Sequence, residues 1–222
     1  MDAGAGRRTA PTGLTRQHAA VHPGGYNRLM NPATNLVLVG PMGAGKTCVG
    51  RWLAERFGLR MVDADKEIER VAGASINTIF ECEGESGFRT RERTTIATLL
   101  GDDGLVLSTG GGAVLDADNR RLLRERGFVV HLHVGVEQQL ERLARDRSRP
   151  LLARGDREDV LRTLAAQRAP LYAEVADLVF DTNDYSSTEA AARLAQELDA
   201  RWQRPAPRSA ADAAGRTQTE PT

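Results

Sequence analysis

The sequence predicts an α/β fold in which helices cover both faces of one parallel β-sheet. Two observations lead to this prediction. Short apolar segments rich in branched residues alternate along the chain with longer helical segments, and a glycine-rich loop follows the first apolar segment. This alternation is typical of parallel sheets, whose strands are buried on both faces. In such folds the ligand binds beyond the carboxyl ends of the strands.

Five apolar segments are predicted to form the strands. They are residues 36–39, 60–62, 105–107, 128–133 and 178–180. The predicted helices are 48–57, 66–71, a segment that begins after the N-cap Ser75, 92–100, 116–126, 137–145, 157–175 and 188–202. The first of these carries apolar residues at a helical spacing, and serine is a favoured N-cap. Strands and helices therefore alternate along the sequence.

Residues 40–47 read Gly-Pro-Met-Gly-Ala-Gly-Lys-Thr, which is a complete phosphate-binding loop motif. The predicted strand before it and the predicted helix after it are the context that the motif requires. Backbone amides and the helix N-terminus then face the phosphates of a nucleoside triphosphate, Lys46 reaches the β- and γ-phosphates, and Thr47 holds Mg²⁺. Only two of the 30 basic residues are lysine, so composition does not explain Lys46. The alternative is a glycine-rich turn before an ordinary helix.

Composition places one domain between two extensions. Residues 1–33 and 204–222 lack an apolar pattern and are predicted to be disordered, whereas residues 34–203 suffice for one core. By sequence count the part between the extensions carries a net charge of about −4, which argues against nucleic acid as the main partner.

The chain has no apolar run of membrane-spanning length. Cys48 and Cys82 are interpreted as free thiols in a reducing compartment, and we expect a cytoplasmic monomer.

Polar and glycine residues follow two of the predicted strands. Asp63 and Asp65 come after the second strand, where one carboxylate could orient a magnesium-bound water and the other an attacking hydroxyl. The alternative is that Asp65 only caps the next helix. Residues 110–112 are three glycines after the third strand, and they would let a ligand lie against bare backbone or simply form a turn.

Arginines are concentrated in residues 142–157, which contain six of them and are broken by Pro150 and Gly155. This pattern predicts a mobile flap at about 146–157 that closes on phosphates. The alternative is a surface of salt bridges with neighbouring carboxylates. His131, His133, Trp52, Tyr172 and Trp202 are interpreted as packing or edge residues.

Six motifs occur in order between about residues 35 and 198. They are the phosphate-binding loop, Asp63-x-Asp65, Gly87-Phe88-Arg89-x-x-Glu92, Gly110-Gly111-Gly112-Ala113, Arg149-Pro150-Leu151-Leu152 and Arg168-Ala169-Pro170-Leu171-Tyr172. This set closely resembles the shikimate kinase family. The resemblance implies a P-loop NTPase fold of the nucleoside-monophosphate-kinase type with a five-stranded parallel sheet. It also implies ATP-dependent phosphorylation of the 3-hydroxyl of shikimate, which gives shikimate 3-phosphate and ADP in chorismate and aromatic amino acid biosynthesis.

The resemblance also implies roles for individual residues. The shikimate-binding residues would be Asp65, Arg89, Gly111, Gly112 and Arg168, with the two arginines on the carboxylate and Asp65 on the reacting hydroxyl. Thr47 and Asp63 would serve Mg²⁺. The ATP-binding residues would be Gly43, Ala44, Gly45, Lys46, Thr47, Cys48, Arg142, Arg149 and Tyr185. Lys46, Asp65 and Arg149 would be catalytic. The chain departs from the family pattern after the fifth predicted strand, near the expected adenine site. Family members often have a proline there, whereas this chain has Tyr185-Ser186-Ser187.

Two other functions remain compatible with the motifs. One is a kinase of another sugar acid such as gluconate, which shares the phosphate-binding loop and needs a carboxylate clamp. The other is a nucleotide-binding regulatory protein without catalysis. The second is disfavoured because Lys46, Thr47, Asp63, Asp65 and Arg149 occur together, and binding alone does not need the acceptor carboxylate or the flap arginine.

Overall fold

The computed structural model describes residues 33–144 and 156–204. Its strands are β1 (Asn35–Val39), β2 (Arg60–Asp63), β3 (Leu105–Ser108), β4 (Gly127–His133) and β5 (Leu178–Asp181). Its helices are α1 (Lys46–Phe57), α2 (Ala64–Ala72), α3 (Ile76–Leu99), α4 (Ala117–Arg126), α5 (Val136–Leu143), α6 (Arg157–Val175) and α7 (Ser187–Arg201). A short 3₁₀ helix, Ala113–Leu115, precedes α4.

The five strands form one parallel sheet in the order β2-β3-β1-β4-β5. All five residues of the central strand β1 are buried. In the register of the sheet Leu38 lies opposite Ser108 of β3, and Val39 lies opposite His131 of β4. The carboxyl ends of β1, β3 and β4 therefore meet at one edge of the sheet, as the sequence predicts.

Helices pack on both faces of the sheet. Leu36 and Leu38 of β1 belong to a core that includes Leu53 of α1 and Leu194 of α7. Val37 and Val39 of β1 point to the other face of the sheet. They belong to a second core, which also contains residues of α3, α4 and α6. Successive side chains of a strand point to opposite faces, so one strand contributes to two cores. The predicted fold class is confirmed.

The structure changes two helix boundaries that the sequence suggested. Helix α2 begins at Ala64, because Asp63 is its N-cap and accepts hydrogen bonds from the backbone amides of Asp65 and Lys66. The interpretation of Asp65 as the cap is therefore wrong. The predicted helices after Ser75 and at 92–100 correspond to α3, in which two helical segments meet at a kink where Gly84 leaves helical geometry (φ 68°, ψ −174°), so the second segment starts earlier than predicted.

The described fold reaches one residue beyond the predicted domain at each end. Ala33 is buried, and its carbonyl oxygen accepts a hydrogen bond of 2.8 Å from Trp202 Nε1. Arg204 Nη1 donates to the carbonyl oxygen of Phe57 at 2.5 Å. The rest of the two predicted extensions and the flap up to residue 155 lie outside the described residues. Among the helices within residues 33–144 and 156–204, none has both the length and the apolar character needed to cross a bilayer.

Candidate active site at the carboxyl ends of the strands

The phosphate-binding loop connects β1 to α1. Gly45 is the N-cap of α1 and has φ 85°, a left-handed conformation that glycine adopts without strain. Lys46 Nζ donates to the carbonyl oxygens of Gly40 and Pro41 at 2.8 and 2.9 Å. The lysine therefore lies folded over its own loop. The N-terminus of α1 and this ammonium group together favour an anion at the loop.

Arg142 of α5 holds the loop from the other side. Its guanidinium donates to the carbonyl oxygen of Gly43 at 3.0 Å and to that of Thr182 at 2.5 Å. Longer bonds reach the carbonyl oxygens of Asn183 and Tyr185, in the segment after β5. Arg142 thus ties the phosphate-binding loop to the segment where the sequence places adenine contacts. Tyr185 packs on Phe180 of β5.

Thr47 and Asp63 form a pair of oxygen ligands beside the loop. Thr47 Oγ1 donates to Asp63 Oδ2 at 2.7 Å and lies 3.4 Å from Ser108 Oγ of β3. A hydroxyl and a carboxylate are hard oxygen donors of the kind that Mg²⁺ takes, and magnesium sites often combine few protein ligands with substrate phosphates. The pair fits the predicted magnesium role. The described ranges contain no group of three or more His, Cys, Asp or Glu residues suited to a metal ion.

The three glycines after β3 lie directly against charged side chains. A methyl group built on Gly110 would lie 2.8 Å from Asp65 Oδ1 and 2.9 Å from Glu92 Oε1. One built on Gly112 would lie 2.5 Å from Arg89 Nη2. Any larger residue at Gly112 would displace the guanidinium. The glycines therefore bring bare backbone against the side chains of Asp65 and Arg89.

Arg89 and Arg168 approach the glycines from α3 and α6. Arg168 is only 5% exposed, and its Nη1 would lie 3.4 Å from a methyl group on Gly111. Arg89 donates to Glu92 Oε2 at 2.6 Å. Within the described residues, Glu92 Oε1 and Arg168 Nε are buried without a hydrogen-bond partner. Because buried polar groups are nearly always paired, these two atoms indicate a polar ligand in the cleft.

Glu92 is a site residue to which sequence reasoning gave no role, although its motif contains it. The side chain is 1% exposed. Burial raises the pKa of the Glu92 carboxyl, while the charge and hydrogen bond of Arg89 lower it and Asp65 raises it further. Its position three residues after Arg89 was the available signal, because residues three apart share a helix face.

One cleft of about 730 Å³ joins the phosphate-binding loop to the glycines and the two arginines. Most of the predicted site residues line it: Gly43, Gly45, Lys46, Thr47, Cys48, Asp63, Asp65, Arg89, Gly111, Gly112 and Arg168. Ala44 is buried in the loop, and Arg142 and Tyr185 lie behind Gly43. Arg149 lies outside the described residues. The phosphate side and the arginine side of the cleft therefore lie next to each other.

A model of the family described as shikimate kinase matches residues 42–199, which is more than half of the chain. The chain belongs to the shikimate kinase family. Curated relatives agree: the shikimate kinase of Stenotrophomonas maltophilia strain R551-3 is 61% identical over 175 residues, which are 79% of this chain and 97% of that protein. The shikimate kinase of Xanthomonas oryzae pv. oryzae strain PXO99A is 58% identical over 173 residues, covering 78% of this chain and 96% of that protein.

Solved structures of the family share the fold. The shikimate kinase of Acinetobacter baumannii in complex with shikimate superimposes with a TM-score of 0.73 at 49% identity, covering 76% of this chain and 94% of that one. The shikimate kinase of Aquifex aeolicus gives a TM-score of 0.65 at 30% identity, covering 76% of this chain and 99% of that chain. The expected nucleoside-monophosphate-kinase type of fold is therefore confirmed along with the family.

Proposed function

We propose that this protein transfers the γ-phosphoryl group of ATP to the 3-hydroxyl of shikimate, giving shikimate 3-phosphate and ADP. The observation that carries the proposal is that one cleft contains both the phosphate-binding loop and a second group of residues. This second group consists of two arginines and Asp65, which lie against the glycines after β3. A cyclic acid with hydroxyl groups matches this arrangement. Planar guanidinium groups bind carboxylates through paired hydrogen bonds, and a carboxylate such as that of Asp65 can accept the hydrogen bond of an alcohol.

The residues of the chain divide the chemistry between the two sides of the cleft. Lys46 and the N-terminus of α1 stabilise the negative charge of the β- and γ-phosphates. Arg89 and Arg168 fix the substrate by its carboxylate, and Asp65 orients the reacting hydroxyl and accepts its proton. Because the two substrates lie in adjacent parts of one cleft, the hydroxyl is held next to the terminal phosphate, and positioning supplies much of the catalysis.

We assign Thr47 and Asp63 to Mg²⁺, which would neutralise the negative charge of the phosphates when it is bound. We assign the adenine side to Arg142 and Tyr185. Arg149 belongs to the flap that we propose to cover the phosphates, where it acts on the transferring group. We therefore expect Arg149→Ala to lower kcat far more than it weakens shikimate binding.

We further infer a cytoplasmic, monomeric enzyme whose working unit is the domain of residues 34–203, flanked by extensions that take no part in catalysis. The exposed thiols of Cys48 and Cys82 suit a reducing compartment. The net negative charge of the domain supports small-molecule substrates over nucleic acid.

A coupled assay of ADP release tests the proposal. Purified protein with MgATP should release ADP rapidly with shikimate and at background rate with gluconate or without acceptor. Lys46→Ala should lose about a hundredfold or more of the rate, since a buried charge contact to phosphate is worth on the order of 3 kcal/mol. Faster turnover of gluconate would identify another sugar-acid kinase. ATP binding without turnover of either acid would favour a regulatory protein.

A further inference from the structure

The hydroxyl group of Tyr172 connects two parts of the proposed shikimate site. Tyr172 lies one turn after Arg168 on α6, so both side chains project from the same face of the helix. Its hydroxyl donates a hydrogen bond of 2.6 Å to the carbonyl oxygen of Gly111. The positive charge of Arg168 lies close enough to the same hydroxyl to lower its pKa, and Arg168 Nη1 would lie 3.4 Å from a methyl group on Gly111. The hydroxyl of Tyr172 and the guanidinium of Arg168 therefore approach the same glycine.

The ring that carries this hydroxyl is held in place by the sheet. Tyr172 is 3% exposed and stacks on His131, with ring centroids 4.7 Å apart and planes 22° apart. His131 belongs to β4 and lies opposite Val39, the last residue of β1 before the phosphate-binding loop. Because His131 is fixed in the sheet and Tyr172 is packed against it, the hydroxyl has little freedom to move away from Gly111.

The ring alone would satisfy a packing role. A phenylalanine would fill the same volume and keep the stack on His131. The hydroxyl instead bonds to Gly111 and lies near Arg168, and both of these residues line the cleft. Arg168 is 5% exposed, and its charge also acts on the Glu92 carboxyl.

We propose that Tyr172 is a positioning residue of the shikimate site, which uses its hydroxyl to fix the Arg168 guanidinium against the Gly111 backbone at the separation that the substrate carboxylate requires. This inference rests on the proposed function and adds a residue to it. Tyr172 does not touch the reacting atoms. It acts through Arg168, by holding a flexible side chain in the geometry of the bound state before the substrate arrives.

The protonation state of the hydroxyl supports this role. Burial raises the pKa of Tyr172 to about 12, although the nearby charge of Arg168 lowers it. The hydroxyl thus keeps the proton that it donates to Gly111 throughout the physiological range. The direction of this hydrogen bond is consequently fixed, with the hydroxyl as donor and the Gly111 carbonyl oxygen as acceptor.

The variant Tyr172→Phe tests the inference, because it removes one oxygen atom and keeps the ring. We expect the KM for shikimate to rise about 3- to 10-fold, in line with the loss of one buried hydrogen bond, and the KM for ATP to stay within about twofold. A matched control is Trp202→Phe, which also removes a hydrogen bond from an aromatic side chain to a backbone carbonyl oxygen. Trp202 lies near the amino end of β1, away from the cleft. The Trp202→Phe variant should lower the melting temperature and leave both KM values unchanged.

A double-mutant cycle separates positioning from a general structural effect. If Tyr172 acts through Arg168, adding Tyr172→Phe to Arg168→Lys should raise the shikimate KM by less than twofold further. Shikimate with a neutral amide in place of the carboxylate should also bind wild type and Tyr172→Phe almost equally.

Three outcomes would overturn the inference. They are an unchanged shikimate KM in Tyr172→Phe, an equal rise of the ATP and shikimate KM values, and fully additive effects in the double variant. In each of these cases wild type still phosphorylates shikimate, and the proposed function stands. Absence of wild-type turnover and of shikimate binding would instead overturn both proposals.

Discussion

Arg89 and Arg168 differ in their surroundings although both face the glycine loop. Arg89 is paired with Glu92 and Glu85 of its own helix, whereas Arg168 is almost fully buried and keeps an unpaired Nε among the described residues. A carboxylate between the two guanidinium groups would therefore complete the hydrogen bonding of Arg168 more than that of Arg89. Both contacts depend on the planar fork of donors that lysine lacks.

We expect Arg89→Lys and Arg168→Lys to weaken shikimate binding by about 10- to 150-fold, because a lost charged hydrogen-bond pair is worth about 1.5 to 3 kcal/mol. ATP binding measured alone should stay nearly constant. Titration calorimetry with shikimate and with its neutral amide measures both effects, and the amide should lose much less. Arg91→Lys is the control, since Arg91 lies on α3 but pairs with Glu83 at the surface. Equal losses for acid and amide would remove the carboxylate role.

His131 carries a second prediction at this scale. Burial, then the nearby His133 and Lys46, lower the pKa of His131 from 6.5 to about 4. The unfolded chain therefore takes up this proton first as the pH falls. The contribution of the neutral His131 to stability is complete above pH 6.5 and is lost progressively toward pH 4, by up to about 3 kcal/mol.

Urea unfolding between pH 4 and pH 7 measures this effect. The free energy of unfolding of wild type should fall toward pH 4 more steeply than that of His131→Phe, which keeps an aromatic ring on Tyr172 but cannot titrate. Parallel curves for the two proteins would show that His131 does not titrate in this window. Other buried groups such as Glu92 affect both proteins alike, so the difference isolates the histidine.

The sequence identified candidate site residues in two ways. The loop lysine and the two aspartates stand in local patterns whose chemistry suggests a role, whereas the roles of the two arginines were expected from the family resemblance. The roles of Glu92 and Tyr172 depend on partners in three dimensions. The Tyr172 hydroxyl bonds to a carbonyl 61 residues earlier in the chain, and no spacing rule connects them. For the same reason the sequence suggested only packing for Tyr172.

At the scale of elements, Arg142 links α5, the phosphate-binding loop and the segment after β5. Its guanidinium is the shared donor to carbonyl oxygens of Gly43, Thr182 and Asn183. Arg142→Met keeps most of the side-chain length and removes the donors. We expect the KM for ATP to rise severalfold and the KM for shikimate to change less than twofold, because the loosened elements face the nucleotide side.

Initial rates at varied ATP and at varied shikimate check this prediction. Arg121→Met is the control, because Arg121 is an exposed arginine of α4 whose ion pairs lie at the surface. A larger change for shikimate than for ATP would mean that the clamp serves the acceptor side instead.

The sequence predicted which segments form strands and helices better than it predicted the residues at which they begin and end. The apolar strands and the alternating helices follow from patterning, and the structure contains them. The start of α2 was misplaced because Asp63 has two functions, as a strand-end carboxylate beside Thr47 and as a helix cap. The second helical segment of α3 begins just after Gly84, and its start was misplaced to residue 92 because residues 85–91 are mostly polar and give no apolar helical pattern. The order of the strands in the sheet is set by packing between distant segments.

For the whole molecule, the contacts at the two ends of the described fold define the smallest unit that should retain stability. Trp202 is 6% exposed, packs on Phe57 and Phe128, and bonds to Ala33. A chain of residues 30–204 keeps these contacts. We expect it to match the full chain in activity and in melting temperature.

Calorimetry and the ADP assay test this on three proteins: the full chain, residues 30–204 and residues 35–201. The shortest protein loses Ala33 and Trp202 and should melt several degrees lower, since removal of a buried aromatic side chain costs about 3 to 5 kcal/mol. A marked loss of activity or stability in residues 30–204 would mean that an extension contributes to the domain.

The hydrogen bond between Trp202 and Ala33 brings the two ends of the fold together near the amino end of β1. The cleft lies at the carboxyl ends of the strands, at the other end of the sheet. A short peptide could therefore join residue 204 to residue 33, and new termini could be opened at an exposed turn such as Asp102-Asp103. For the same reason, a surface attachment through either end would leave the cleft open to the solution. The geometry thus makes the domain suitable for circular permutation and for immobilisation.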